Sequence, residues 1–493
     1  MKKAVSLMAL FAGMGFAGSM PTEHYTVEDI PLPKSVAPEI GGLACNPAGE
    51  LVVVLRRSGI IIGTPHRDPE QFQWRVFSDA SMHNPCGVLL GAEGDLLVPQ
   101  MQELTWIKDM NGDGLADLYQ AVSTAWGVSG NYHETIAGPI PDGEGNWFLA
   151  IGTASHNGPV FYNVRGAYSP IGRRGRNYSA VEYKGWVVKI RPDGSLIPWA
   201  SGFRANNGMC LDPSGNLWVT DNQGDWRGTS PLYHVEEGDF CGHPSSLVWD
   251  KAFFPDKGDP LNYGVDKLDA MRKRAAVLFP QGLMANSPTE PIVDVTRGRF
   301  GPFAGQMFVG DVAGRRILRV MVEKVKGQYQ GACVKFIDGS GLRGGSNRLA
   351  FGPDGNALYV GQTYRGWGGP TEGLQRIVFQ DKDPFEVHSM KLTENGFRLK
   401  FTGQLDAELA KDPKSYEFKH YWFKYGHAYG SAQMDKTPVA VKSVEVIDEE
   451  MVDVVLADPL EAKKVYQLDV KVRSSNGKPV VNPTLCYTVN EIL

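Results

Sequence analysis

Residues 202–244 read GFRANNGMCLDPSGNLWVTDNQGDWRGTSPLYHVEEGDFCGHP and combine a repeated turn with an unusual run of polar side chains. Within them, DPSGN predicts a hairpin turn, because its proline fixes φ and Gly215 accepts the positive φ that follows. LWVT predicts the strand that leaves this turn. Arg204, Asn206 and Asn207 precede the hairpin, so one β unit brings a guanidinium and two amides into neighbouring loops.

The same motif, a glycine turn followed by leucine or an aromatic residue, recurs along the chain. Its glycines are Gly49, Gly94, Gly145, Gly215, Gly305 and Gly355. Three of the five intervals are close to the roughly 40 to 50 residues that one four-stranded propeller blade needs, and the two longer ones indicate blades with insertions. With 58 Gly and 32 Pro spread along the chain, these turns predict an all-β fold, a six-bladed β-propeller over residues 20–380.

A charged segment with a proline, QDKDP, marks a change of composition at residues 380–384. Beyond it, FRLKF and YQLDVKV alternate apolar and charged residues, as half-buried antiparallel strands do. We therefore predict a second domain over residues 385–493, a β-sandwich of immunoglobulin or fibronectin type. Its sequence has no clustered His or carboxylate constellation, which favours a structural or adhesive role over sugar binding.

Composition limits the location and the partners of the protein. A formal net charge of -5 provides no basic field for a nucleic-acid backbone. Residues 1–19 have a basic start, a short apolar run and small residues for cleavage, which predicts a signal peptide. We expect a soluble protein in the periplasm or secreted, with no membrane span and no nucleic acid. The six cysteines lack CxxC and CxxCH spacing, which disfavours zinc and covalent haem and leaves disulfide pairing open.

The sharpest local motif is DMNGDGLAD at residues 109–117. Oxygen ligands at loop positions one, three, five and nine, a backbone carbonyl at seven and glycine at six match a calcium loop. The predicted ligands are Asp109, Asn111, Asp113, Leu115 (through its carbonyl) and Asp117. Because position twelve is Gln120 and no flanking helices are expected, the motif is typical of calcium loops on extracellular β domains, where the ion stabilises a loop.

His133 lies a few residues ahead of the third turn, at the expected start of an innermost strand. Such strands line the central channel of a propeller, where a neutral imidazole can take a hydroxyl proton. Several arginines lie in predicted loops of different blades: Arg173, Arg174, Arg176, Arg204, Arg343 and Arg348. If these loops share the channel mouth, the guanidiniums suit a small polyanion. A surface imidazole and solvated arginines are the alternative for each residue taken singly.

These motifs resemble the glucose/sorbosone dehydrogenases, six-bladed propellers similar to soluble quinoprotein sugar dehydrogenases. The likeness lies in His133 followed by Pro-Asp, in Gly-Phe-Arg204 leading to LDPSGNLWVT, and in GDFCGHP at residues 238–244. It covers roughly residues 35–380. The calcium loop, the TDNQGDW segment and the tail look closest to secreted sets in planctomycetes and verrucomicrobia, where such propellers are often joined to cytochrome domains.

The resemblance implies pyrroloquinoline quinone as cofactor, an aldose or another small hydroxylated molecule as substrate, and a separate electron acceptor such as a cytochrome. His133 would remove the anomeric hydroxyl proton while hydride passes to the quinone, and Arg204 would polarise the quinone oxygens. The cofactor-binding residues would be Arg204, Asn206, Asn207, Arg343 and Arg348. Two motifs depart from the family: its Arg-Asn-Pro reads RANN here, and its Tyr-Gly-Trp-Pro reads CGHP.

Two other functions stay open at this point. Secreted propellers with a similar DPSGNLWVTD stretch also resemble gluconolactonases, in which Asn and Asp hold a calcium ion in the channel, and Asn207 with Asp221 could serve here. A calcium-dependent sugar lactonase requires an acidic channel, whereas a quinoprotein requires a basic one. The third function is a non-catalytic propeller that binds glycans.

Overall fold

The computed structural model describes residues 20–160, 164–173, 176–363 and 371–493. The expected signal peptide and Arg174 lie outside the described residues. In the described ranges, the helices are too short or too polar to cross a bilayer. All six cysteines lie in these ranges and are free thiols.

The described chain up to residue 379 is built mainly from six groups of four antiparallel strands. After β1 (Tyr25–Ile30), the first sheet contains β2 (Ile40–Cys45), β3 (Leu51–Leu55), β4 (Gly59–Thr64) and β5 (Gln73–Ser78). The second contains β6 (Leu89–Leu90), β7 (Leu96–Pro99), β8 (Leu104–Lys108) and β9 (Leu118–Ser123). The third begins with β10 (Ile136–Pro141) and β11 (Trp147–Ile151), is interrupted by the separate pair β12 (Ala154–Ser155) and β13 (Asn177–Tyr178), and ends with β14 (Trp186–Ile190) and β15 (Leu196–Ser201).

Three further groups complete this part of the chain. The fourth contains β16 (Gly208–Leu211), β17 (Leu217–Thr220), β18 (Ser230–Val235) and β19 (Val277–Phe279), with α1 (Val265–Met271) in the insertion before β19. The fifth contains β20 (Pro288–Val293), β21 (Met307–Asp311), β22 (Arg316–Val325) and β23 (Gln328–Asp338). The sixth contains β24 (Ser346–Phe351), β25 (Ala357–Gln362) and β26 (Gly373–Phe379), and β1 pairs with β26 as its fourth strand.

The six predicted glycine turns each join the first two strands of one group. All six glycines have φ between 73° and 93°, which a residue with a Cβ adopts only with strain. The first strands of successive groups contact one another, from β10 to β16, β20, β24 and back to β2, and β10 also contacts β6 and β7. The first strands therefore surround a common axis. The fold is all-β and of the propeller type, which confirms the predicted fold class at this level.

Apolar side chains fill the space between neighbouring sheets. Between the fifth and sixth sheets, the ring centroids of Phe308 and Phe336 are 4.8 Å apart, and Tyr25 of β1 lies 4.8 Å from Phe336. Burial of one such ring contributes about 1.5–3 kcal/mol. β3 reads LVVVL and is buried throughout, because an inner strand has a neighbouring sheet on each face.

The C-terminal region contains two sheets. Its elements are β27 (Val387–Thr393), β28 (Gly396–Phe401), α2 (Ala407–Lys411), β29 (Tyr416–Trp422), β30 (Met434–Val439), β31 (Val441–Asp448), β32 (Met451–Leu456), β33 (Lys464–Val470) and β34 (Thr484–Val489). One sheet has the strand order β27-β28-β32-β31. The other, β34-β33-β29-β30, continues the fifth group, because β34 pairs with β23 opposite Cys333.

Short 3-10 helices complete the described elements. They span Pro69–Gln71, Pro244–Trp249, Pro260–Asn262 and Pro413–Ser415. Each begins with a proline, whose missing N–H costs nothing at the first helical position.

Candidate functional site

A polar cavity of about 1080 Å³ lies at one end of the sheets. Apart from Tyr429, its described lining residues belong to connections that precede the first strand of a sheet or that join its second strand to its third, including the short pair β12 and β13. In an antiparallel sheet these loops share one end, so residues distant in sequence meet there. The volume is at the upper end of the roughly 300–1,000 Å³ of ligand sites.

The lining of this cavity is basic. Its cations are Arg56, Arg57, Arg176 and Arg204. Its imidazoles are His83, His133 and His156. No Asp or Glu is among the described lining residues. Such a lining favours an anionic ligand, because guanidiniums bind carboxylates with two parallel hydrogen bonds.

The ring of His133 is oriented by a backbone carbonyl. Its Nδ1 lies 2.9 Å from the carbonyl oxygen of Thr153, which can only accept a hydrogen bond. We therefore assign the proton of the neutral ring to Nδ1 and the lone pair to Nε2. Asn177 Nδ2 lies 3.2 Å from the same Nδ1 and donates to Thr153 Oγ1 at 3.0 Å. In this tautomer Nε2 is the basic atom.

Arg204 is almost completely buried and is held by two partners. Its Nε donates to Asp225 Oδ1 at 2.8 Å, and its Nη2 donates to Asn177 Oδ1 at 2.9 Å. Asn177 thus lies between Arg204 and His133: its Oδ1 accepts from Arg204, and its Nδ2 donates to Thr153, whose carbonyl accepts from His133. The structure brings these two predicted residues to the same cavity, beside each other on this link.

Behind Arg204, a buried chain of hydrogen bonds leads away from the cavity. Asp225 Oδ2 lies 3.1 Å from His243 Nε2, and His243 Nδ1 lies 2.9 Å from Ser245 Oγ. Burial would raise the pKa of Asp225, but the hydrogen bond and charge of His243 and the charge of Arg204 outweigh it and hold that pKa well below its usual range. Asp225 is therefore a carboxylate that fixes the guanidinium.

Backbone conformation next to Asp225 allows this arrangement. A Cβ at Gly224 would lie 2.1 Å from the guanidinium carbon of Arg204, so only glycine lets the side chain lie against the backbone there. Trp226 has φ 60°, a left-handed conformation that is unusual for a bulky residue. The turn of residues 224–226 is thus shaped around Arg204.

The other predicted binding residues lie elsewhere. Asn207 Nδ2 donates to Asn347 Oδ1 at 3.1 Å, and Arg348 Nη1 donates to the carbonyl of Asn207 at 2.9 Å. Asn207, directly before β16, and Arg348, on β24, are therefore buried and are not among the described lining residues. Asn206 is fully buried, with both amide atoms lacking a hydrogen-bond partner among the described residues. Arg343 donates to Gln362 and pairs with Asp29 at 3.4 Å, outside the described lining.

The remaining arginines of the predicted set differ in position. Arg176 lines the cavity, whereas Arg173 is exposed and is not among the described lining residues. Sequence reasoning did not assign Arg56, Arg57 or Tyr429 to the site. The first two follow β3, in a loop between second and third strands, so the topology identifies them once the strands are known.

The predicted calcium loop joins β8 to β9 and is at the opposite end of its sheet from the cavity. Asp109 accepts hydrogen bonds from the N–H of Gly112 at 2.7 Å and of Gly114 at 2.8 Å, and the bond from Gly114 is the main reason that its pKa is lowered. Asp117 accepts from Met110 N–H at 2.8 Å. In the described part of the chain, no three His, Cys, Asp or Glu side chains form a metal-binding group. The calcium ion therefore stays a prediction.

Comparisons with known proteins agree with the propeller-type fold. No family model matches the sequence, and no curated protein matches it. The holo pyranose dehydrogenase PQQ domain from Coprinopsis cinerea is similar in structure, with 13% identity and a TM-score of 0.50 over 72% of this chain and 95% of that chain.

A second solved structure gives the same result. The calcium structure of a Trichoderma reesei enzyme of carbohydrate-active enzyme family AA12 is 14% identical, with a TM-score of 0.50 over 72% of this chain and 95% of that chain. At these identities the likeness shows the fold alone. Almost all of each relative is matched, so the unmatched part of this chain is additional to their fold.

Proposed function

We propose that the protein is an exported oxidoreductase that uses pyrroloquinoline quinone to oxidise an aldose or another small hydroxylated substrate, with a separate electron acceptor such as a cytochrome. The observation that carries this proposal is the basic cavity in which His133 and Arg204 are linked through Thr153 and Asn177. We take the six groups of strands as the blades of a propeller over residues 20–380, and residues 385–493 as a sandwich of immunoglobulin or fibronectin type.

The donor set of the cavity fits the quinone, which is a planar tricarboxylate. Arg56, Arg57, Arg176 and Arg204 bring guanidiniums to its walls. Arg56 and Arg57 share Glu39 at 3.3 Å and Arg204 pairs with Asp225 at 2.8 Å, so the cations still outnumber the carboxylates paired with them. Asn222 lines the same cavity, and its Oδ1 is buried without a hydrogen-bond partner among the described residues, so a ligand N–H or O–H could satisfy it. When bound, the quinone supplies the hydride acceptor.

His133 acts as the base in this proposal. With its Nδ1 proton directed at the carbonyl of Thr153, its Nε2 lone pair can take the hydroxyl proton of the substrate. The carbonyl of Thr153 keeps the ring in this tautomer. The guanidinium of Arg204 is a buried charge, which is unfavourable without a partner. Asp225 compensates this charge and keeps the guanidinium directed toward the cavity.

The cofactor-binding residues named from the family likeness are replaced in part. Asn206, Asn207, Arg343 and Arg348 are not among the described lining residues. We therefore propose Arg204 with Arg56, Arg57 and Arg176 as the set that holds the quinone. The calcium ion of residues 109–117 keeps a structural role, because its loop is at the other end of the sheet.

The residues of this cavity support a calcium-dependent lactonase less well than they support the quinone-dependent oxidoreductase. Asp221, one of its two expected ligands, accepts from the backbone N–H of Arg204 at 2.9 Å and Ala205 at 2.6 Å and pairs with Arg227 at 3.0 Å. Neither Asp221 nor Asn207 is among the described lining residues, and the arginines that are would repel a cation. The remaining alternative, a non-catalytic protein that binds glycans, is distinguished from our proposal by the quinone titration and dye-reduction assay described next.

The test is titration of the purified protein with the quinone, in the presence of calcium, by calorimetry. We expect saturable binding, followed by reduction of a dye when an aldose is added. Absence of quinone binding would contradict the proposal and favour the lactonase or the glycan-binding protein.

Replacement of the base distinguishes catalysis from binding. His133→Gln cannot take a proton at the same position, so we expect dye reduction to fall by at least about 100-fold, the lower range for general base catalysis. The quinone dissociation constant should change by less than about threefold, corresponding to about 0.6 kcal/mol. A variant that retains the wild-type rate would show that His133 is not the base.

A further inference from the structure

A segment of the C-terminal region lies directly on the turn that holds Arg204. This segment, residues 423–431, joins β29 to β30. Gly426 O accepts from Trp226 N–H at 2.9 Å, and Gly430 N–H donates to Gly224 O at 2.9 Å. Ser431 N–H donates to Gly228 O at 2.8 Å. The two stretches of backbone are thus joined by three hydrogen bonds along residues 224–228.

Side chains of the segment also hold the left-handed Trp226. The rings of His427 and Tyr425 lie 4.3 Å and 5.2 Å from the indole of Trp226, measured between centroids. Tyr425 donates its hydroxyl proton to the carbonyl of Gly242 at 2.6 Å. Gly430 has φ 69°, which favours glycine, and a Cβ there would come within 2.6 Å of Gln223 Nε2.

Tyr429 extends from this segment into the cavity lining. Its ring centroid is 4.9 Å from the guanidinium carbon of Arg176 and 5.2 Å from that of Arg204. One aromatic ring therefore contacts two cations from different loops, and 52% of the residue is still exposed. An exposed aromatic surface between two guanidiniums is suited to stacking with a planar, conjugated anion.

We propose that Tyr429 is a ligand-contacting residue, and that residues 423–431 complete the binding site from outside the propeller. The ligand class is a planar aromatic polycarboxylate, so this inference rests on the proposed function and adds to it a residue that stacks on the quinone. The carboxylates of the ligand would pair with Arg176 and Arg204 while its ring system lies against Tyr429. The C-terminal region then has a role in binding as well as in structure.

The test compares two substitutions that differ only in the aromatic ring. Tyr429→Phe keeps the ring and removes the hydroxyl, whereas Tyr429→Leu keeps an apolar side chain and removes the ring. The readout is the dissociation constant of pyrroloquinoline quinone by calorimetry, without substrate. We expect a change of less than about twofold for Tyr429→Phe and a weakening of about tenfold for Tyr429→Leu. Tyr119→Leu, outside the described cavity lining, is the control and should leave binding unchanged.

The outcomes separate this inference from the proposed function. If the wild type binds the quinone and Tyr429→Leu binds it equally tightly, the role of Tyr429 is overturned and the proposed function stands. If the wild type does not bind the quinone, both are overturned. Thermal unfolding checks that each variant is folded, and Tyr429→Gln replaces Tyr429→Leu if the latter does not fold.

Discussion

At Arg204, two side chains fix the direction of one buried guanidinium. Removing an arginine from water costs several kcal/mol, which is compensated only when hydrogen bonds of good geometry replace the lost hydration. Asp225 and Asn177 provide them at 2.8 Å and 2.9 Å. His243 and Ser245 extend the network behind Asp225, at the place where the resembled family has tryptophan. The altered CGHP motif thus contributes a polar support for the carboxylate that holds Arg204.

Gly224 gives a direct test of this support. In Gly224→Ala the added Cβ would lie 2.1 Å from Cζ of Arg204, so the guanidinium must leave its present position. We expect quinone binding to weaken by about tenfold, the loss of one charge-assisted contact. Gly403→Ala is the control, because a Cβ there meets its nearest atom at 3.8 Å. Unchanged affinity in Gly224→Ala would show that the position of Arg204 does not matter for the ligand.

At the level of elements, the cavity and the predicted calcium loop lie at opposite ends of the sheets. Loops between second and third strands line the cavity, and the loop from β8 to β9 is at the other end. In the loop from β8 to β9, carboxylate oxygens accept hydrogen bonds from backbone N–H groups, so the loop has its shape before any ion binds. We infer that calcium at this loop stabilises the second sheet and leaves ligand affinity unchanged.

Calcium binding can be tested through stability. If the ion binds only the folded protein, calcium at 100 times its dissociation constant raises the free energy of unfolding by about 2.7 kcal/mol. We expect Asp113→Asn to lose this gain and to bind the quinone as the wild type does. Asp193→Asn is the matched control, because Asp193 lies in the corresponding turn of the third sheet and accepts from Ser195 N–H at 2.9 Å. A calcium effect that survives in Asp113→Asn would place the ion elsewhere.

At the scale of the whole molecule, one sheet runs from the fifth group into the C-terminal region, through the pairing of β23 with β34. A buried ion pair lies beside this junction. Arg319 of β22 is 3.7 Å from Glu386, and it donates to the carbonyl of Val387 at 2.7 Å. Burial raises the pKa of Glu386 to about 7, and it lowers that of Arg319 to about 10.

The junction should therefore make stability depend on pH. The folded protein holds the proton of Glu386 more tightly than the unfolded chain does, so this contribution is complete below about pH 4.5 and is lost as the pH rises through about 7. The loss amounts to about 3 kcal/mol. Glu386→Gln, which does not titrate, should remove it, as measured by urea unfolding between pH 4.5 and 8. Glu417→Gln, at an exposed glutamate, should keep the pH dependence of the wild type.

The sequence predicted the repeated unit well, and the reason is local. A turn such as DPSGN depends on residues adjacent in the chain, so each of the six glycines could be assigned, and each joins the first two strands of its group. The placement of His133 followed from the same repeat, since loops before first strands meet at one end. The neighbours of Arg204 did not follow. Asn206 and Asn207 are close to it in sequence but are not among the described lining residues.

The all-β class, the spacing of the sheets and the loop end at which chemistry is expected can all be read from the amino-acid order, because hairpin geometry and strand alternation act over a few residues. The set of polar groups that share the cavity became visible with the folded chain. Thr153 and Asn177 link His133 to Arg204, and Tyr429 reaches the same arginine from the C-terminal region. Contacts between residues so far apart in the chain depend on how the sheets close around their axis and on the shared sheet of β23 and β34, and no local pattern encodes them.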